Sequence, residues 1–152
     1  MIRLSRLTDY GIVLMSYMAT HPERVHTAPE VAAGAHLPVP TVSKLMRLLV
    51  KEGVLVSHRG VKGGYGLARG PEEISVARII SALEGPIGLT MCAGSSGDCS
   101  HEPLCPVRRP WQRINQVILQ ALEKIRLSEM TATSVLPSLR GGVRKIGLHT
   151  EH

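Results

Sequence analysis

Two short strand-like runs, Val54-Leu55-Val56-Ser57-His58-Arg59 and Tyr65-Gly66-Leu67-Ala68-Arg69, flank the turn Gly60-Val61-Lys62-Gly63-Gly64. No other stretch constrains the fold as strongly. Glycines supply the positive φ that a hairpin tip demands, so the two runs must fold back on each other. Immediately before them, a helix opening near Pro40 and running to Glu52 places Val42, Leu45, Met46 and Leu49 on one face. Its other face shows Thr41, Ser43, Lys44, Arg47 and Lys51, and Gly53 stands where the residue after the last turn belongs. A short helix precedes it, opened by the capping box Thr27-Ala28-Pro29-Glu30, carrying Val31, Ala32 and Ala35, and stopping between Gly34 and Pro38. Two helices on a tight turn, followed at once by a basic hairpin, make a winged helix-turn-helix.

The flanking elements complete a mainly α fold with a small β-hairpin wing. Leu7, Tyr10, Leu14 and Met18 mark a first helix ending near His21-Pro22. Ser75 begins a fourth, with Ala77, Ile79, Ile80 and Leu83, closed by Gly85-Pro86. Val107, Trp111, Ile114, Ile118, Leu122 and Ile125 then predict a long C-terminal helix of about twenty residues. Val117, Leu119 and Ala121 widen its stripe beyond what docking on a small domain needs, so a homodimer seam is expected there. Trp111 either anchors that seam or is an ordinary core tryptophan. The expected organisation is a DNA-binding domain over 1–85, a cysteine-containing loop over 86–106, a dimerisation helix over 107–130 and a flexible basic tail over 131–152.

The charge points to a polyanion partner. The formal net charge is +6 and the pI about 9.7. Between Pro40 and Arg69 the balance is +5, with Lys44, Arg47, Lys51, Arg59, Lys62 and Arg69 against Glu52, whereas residues 1–30 balance to zero. An excess concentrated in one supersecondary unit is the footprint of nucleic acid rather than of a generally basic surface. Lys44, Arg47, Lys51 and Lys62 are expected to neutralise phosphates, and Thr41 and Ser43 to reach base edges. Arg59 at the wing suits the negative potential of the minor groove, and His58 could donate to a phosphate. RNA is disfavoured, because the chain has no Phe and only 3% aromatic residues for stacking bases. No apolar run approaches the ~20 residues of a membrane span and no secretory signal is recognisable, so a cytoplasmic protein without membrane contact is expected.

All three cysteines, Cys92, Cys99 and Cys105, fall within fourteen residues. An odd number cannot pair off completely, which argues against a disulfide-stapled scaffold. Three thiolates from one loop can reach a single iron–sulfur or zinc centre. Zinc motifs usually bring a two-residue spacer between a cysteine pair, which is absent here, and that favours the cluster. A redox switch of plain thiols is the other alternative. An enzyme using one of these thiols would need a positioned base, and only His101 is near in sequence, so no enzyme is expected.

The order helix-turn-helix, wing Arg59-Gly60-Val61-Lys62-Gly63-Gly64-Tyr65, three-cysteine loop and long helix resembles the winged-helix iron–sulfur cluster regulators of the IscR and NsrR type. Val42-Ser43-Lys44-Leu45, the stretch Ser57 to Tyr65 and Cys105-Pro106-Val107-Arg108 look most like the branch regulating the SUF cluster-assembly operon. The likeness spans roughly residues 1–130. It implies a homodimeric regulator binding a double-stranded DNA operator, with Cys92, Cys99 and Cys105 holding the cluster and Arg59 entering the minor groove. Nitric-oxide or other redox sensing is the alternative within the family. Pro40, Thr41 and Ser43 depart from the IscR pattern, so an operator preference does not carry over. The histidine that IscR has three residues after its last cysteine is Arg108 here, and arginine cannot ligate iron. Asp9, His101 and Glu102 are the candidates for the fourth ligand. The IscR likeness favours a 2Fe–2S centre, whereas an Asp9 ligand favours 4Fe–4S.

Overall fold

The computed structural model describes residues 3–94, 99–100 and 102–131. The expected tail beyond Thr131 and the candidate ligand His101 lie outside them. Helices α1 (Arg6–Ala19), α2 (Ala28–Ala35) and α3 (Val39–Lys51) are followed by the antiparallel hairpin β1 (Leu55–His58) and β2 (Gly64–Leu67). Then come α4 (Val76–Glu84), the short α5 (Met91–Gly94), a 3-10 turn (Glu102–Leu104), α6 (Arg108–Lys124) and α7 (Leu127–Thr131).

The core forms where the apolar faces of α1, α2, α3 and α4 meet. Leu14, Met15 and Met18 of α1, Val31 of α2, and Val42, Leu45, Met46 and Leu49 of α3 are fully buried there. Ile79 of α4 and Leu55 of β1 are buried with them; the spacing of the apolar residues marks Leu14, Met18, Val31, Ile79 and the four of α3, but not Met15.

Helix ends follow local chemistry, with one departure. Ser75 caps α4 by accepting from the Arg78 N–H at 3.1 Å. Thr27 caps α2 by accepting from the Glu30 N–H at 3.3 Å, but the reciprocal half of the expected capping box does not form. The Glu30 carboxylate turns instead to the Arg24 guanidinium at 2.9 Å, because a charged donor outcompetes a backbone amide. Gly53 ends α3 in the left-handed region at φ 74°, and the Val54 N–H beyond it donates to the Leu49 carbonyl at 2.8 Å.

The N-terminus of α1 is tied to the C-terminal end of α4. Ser5 Oγ accepts from the Thr8 N–H at 3.2 Å, while the Thr8 hydroxyl and the Ser5 N–H donate to Glu84 Oε1 at 2.5 and 2.9 Å. The Thr8 hydroxyl, then the Ser5 hydroxyl and the Ser5 backbone N–H, hold the Glu84 carboxyl below the usual carboxylate range. A carboxyl lowered in the folded state contributes stability that is present above its unfolded pKa and is lost as pH falls through the folded one. Thr8→Val should therefore lower the melting temperature most at neutral pH, and its deficit should shrink in acid. A deficit that stays constant from pH 7 to about pH 3 would dissociate these hydroxyls from Glu84.

The C-terminal helix departs from expectation. It is not continuous to residue 130 but ends at Lys124, and Ile125 is extended at ψ 122°. The chain there pairs with the segment before α4: the Val76 N–H donates to the Ile125 carbonyl at 2.9 Å, and the Leu127 N–H to the Ile74 carbonyl at 2.8 Å. Glu129 accepts from the Arg126 N–H at 2.7 Å, starting α7, and Leu127 is fully buried in the core beside α1. Burying that leucine and pairing two backbone amides outweighs one more helical turn. No helix among the described residues is long and apolar enough to cross a membrane.

Candidate nucleic-acid interface and cysteine segment

The outer face of α3 follows from its inner one. Burying Val42, Leu45, Met46 and Leu49 turns Pro40, Lys44, Arg47 and Lys51 into an exposed ridge at successive turns, with Thr41 and Ser43 half-buried along its flanks. The guanidinium of Arg78, from α4, donates to the Glu52 carbonyl at the end of α3 and fixes that end against the core. The α2–α3 turn is tight because His36 adopts the left-handed conformation at φ 55°.

The wing stands beside this ridge. Strand pairing runs from Leu55 opposite Leu67 to His58 opposite Gly64, so Arg59 to Gly63 form the tip. Arg59, Val61 and Lys62 are exposed there. Two backbone bonds pin the hairpin to the entry of α2: His26 N–H to Tyr65 carbonyl at 2.8 Å, and Tyr65 N–H to His26 carbonyl at 2.7 Å. A Cβ on Gly64 would lie 2.5 Å from the His26 carbonyl oxygen, so only glycine lets the strand come this close. The wing is thereby held at a set angle to α3. Seven expected DNA-binding residues thus fall on two adjoining structures, five on α3 and Arg59 and Lys62 on the wing.

Cys92, Cys99 and Cys105 lie on the connection between α4 and α6, each half-buried and none in a disulfide. Cys92 belongs to α5, its Sγ 3.2 Å from Thr90 Oγ1. Cys105 precedes α6, and its carbonyl accepts from the Arg108 N–H at 3.4 Å. The donor set suits an iron–sulfur centre, because accessible thiols are the ligands iron–sulfur clusters use. Among the described residues, however, no three His, Cys, Asp or Glu side chains are gathered as a metal-ion group. Asp9 is exposed in the first turn of α1, where its charge complements the helix dipole, and Glu102 opens the 3-10 turn.

Two features go beyond what local sequence signals. Thr8, fully buried, bonds Glu84 although it reads as an ordinary first-turn threonine. Asn115 is the one buried residue of α6, although it interrupts the apolar spacing between Trp111 and Ile118. A polar residue inside an apolar stripe is the signal that could have found it. Much of that stripe is open: Val107, Trp111, Ile114, Val117 and Ile125 are exposed, Ile114 at 45% and Val117 at 59%, while Ile118, Leu119 and Leu122 are half-buried. Exposed apolar residues in a row are characteristic of an interaction surface.

A family model, Rrf2, described as iron-dependent transcriptional regulator, matches residues 4–133. The chain is 25% identical over 131 residues to the HTH-type transcriptional regulator NsrR of Halalkalibacterium halodurans, covering 85% of this chain and 90% of that protein. Among solved structures it is similar to T. potens IscR, with a TM-score of 0.68, 27% identity, and 93% of this chain and 94% of that one covered. It is similar too to CymR, the global cysteine regulator of B. subtilis, with a TM-score of 0.67, 26% identity, and 88% and 98% covered.

Proposed function

The chain belongs to the Rrf2 family of transcriptional regulators, and from that premise we propose that it is a homodimer whose affinity for an operator depends on an iron–sulfur cluster held by Cys92, Cys99 and Cys105. The genes controlled are those of SUF-type cluster assembly. The observation that carries this reading is the position of the three accessible thiols, on the stretch of chain that runs from α4 of the DNA-binding body into the α6 stripe. The iron-dependence in the family description supports the choice of metal.

Lys44, Arg47, Lys51 and Lys62 neutralise backbone phosphates, Thr41 and Ser43 face base edges, and Arg59 enters the minor groove. The α6 stripes of two protomers pack together and set the separation of the two α3 ridges. Half-sites lie about 34–36 Å apart on DNA, so a change in that separation becomes a change in affinity. When bound, the cluster would supply a redox-sensitive cross-link among the thiolates, with Asp9, His101 and Glu102 as the candidates for the fourth ligand. A 2Fe–2S centre is the form proposed. Holding the three thiolates together would fix how the chain enters α6, and loss of the cluster would change the spacing.

Protein purified without air should carry iron and sulfide in stoichiometric amounts and absorb in the visible, and Cys92→Ser, Cys99→Ser and Cys105→Ser should each lose both. Iron-free, colourless wild-type protein that still regulates would overturn the cluster. It would favour direct thiol sensing, a second reading supported by thiols that, among the described residues, are not gathered into one metal-holding group. Lys51→Ala should weaken binding to all duplex sequences alike and reduce the slope of log affinity against log salt by about one. An unchanged slope removes Lys51 from the phosphate contacts.

A further inference from the structure

Asn115 is buried to 7% exposure on a helix whose other described residues are all at least partly open. A buried amide is costly unless its hydrogen-bonding groups are used, and those of Asn115 are. Its Oδ1 accepts from the Leu89 N–H at 3.1 Å, and its Nδ2 donates to the Ile87 carbonyl at 3.1 Å and the Ala93 carbonyl at 3.3 Å. One side chain therefore grips the chain at both ends of the run Ile87–Ala93. Cys92 lies inside that run, next to the gripped Ala93. On α6, Asn115 sits beside Ile114 and one turn after Trp111, both on the exposed apolar stripe.

We propose that Asn115 is the positioning residue that couples the cysteine segment to the dimer helix, by binding the backbone around Cys92 to the part of α6 that carries Trp111 and Ile114. The coupling rests on the cluster-sensing function proposed above, while the grip itself does not. Any displacement of Cys92 large enough to move Ala93 must either break these bonds or carry α6 with it. The amide is specific to the task. Aspartate would present acceptors to two carbonyl oxygens, and leucine, of similar size, offers no polar atom.

The test uses the full chain, as wild type, Asn115→Asp and Asn115→Leu, purified without air. Iodoacetamide labelling of the metal-free proteins, resolved by peptide mass spectrometry, gives the alkylation rates of Cys92 and Cys105 separately. Affinity for a duplex selected by the wild type from a random pool is measured on iron-loaded and chelator-treated protein. Cys92 should react about tenfold faster or more in both variants, with Cys105 little changed, since each lost bond admits local opening. The ratio of loaded to chelated affinity should collapse towards one. A purely structural role would lower thermal stability yet leave both the Cys92 rate and that ratio as in the wild type, and this overturns the proposal. A wild-type ratio of one would instead overturn the sensing function, and with it the coupling, while accelerated Cys92 labelling would still establish the grip. If Asn115→Asp does not fold, Asn115→Leu decides, because it fills the site without introducing a charge.

Discussion

Ile114→Asp is expected to leave a folded chain that does not form the proposed homodimer and that binds operator DNA on the order of 100-fold more weakly. Val107, Trp111, Ile114, Ile118, Ala121 and Ile125 follow one another at alternating intervals of four and three residues, the repeat by which one helix packs along another. Ile114, 45% exposed, stands near the middle of that row and outside the buried core. Solvating a carboxylate there costs the free chain little, whereas burying two of them across a symmetric seam costs several kcal/mol. A monomer keeps one α3 ridge and one wing, so it loses the contacts to the second half-site. Sedimentation gives the mass and gel shift gives the affinity. A variant that remains dimeric with unchanged affinity would place the seam elsewhere.

Leu127→Ala should destabilise the protein by about 2–5 kcal/mol, the range for removing a fully buried leucine. At this chain length the melting temperature should fall by roughly 5–15 °C. The effect would be out of proportion to the five-residue helix that carries it, because Leu127 is the side chain by which the C-terminal strand-like turn closes on α1. Leu104→Ala provides the contrast. Leu104 is 91% exposed, and its replacement should change stability by no more than about 0.5 kcal/mol. Equal losses in the two variants would mean that α7 does not pack as described.

The elements built on local chemistry are legible in the amino-acid order. Glycine placement announces the hairpin, three- and four-residue spacing announces α1 to α4, and Ser75 and Thr27 announce their caps. The basic ridge is legible too, since fixing which face of α3 is apolar fixes which face is not. Less local features are not. The capping-box pattern assigns Glu30 to its own helix end, but the folded chain brings Arg24 within reach. Periodicity extends the C-terminal helix through Ile125, because an apolar repeat continues across a bend caused by backbone pairing with Ile74 and Val76 and by the burial of Leu127.

What the amino-acid order determined alone was a basic, hydroxyl-lined helix followed by a basic wing, and three thiols confined to one stretch of fourteen residues. Those depend on periodicity, turn chemistry and charge, which act over a few residues. Only the tertiary structure decided that His26 docks the wing, that Glu84 ties down the start of α1, and that Asn115 grips the chain around Cys92. Each of these joins groups more than twenty residues apart. A buried polar group must find a partner wherever the fold supplies one, and sequence spacing carries no record of which group that will be.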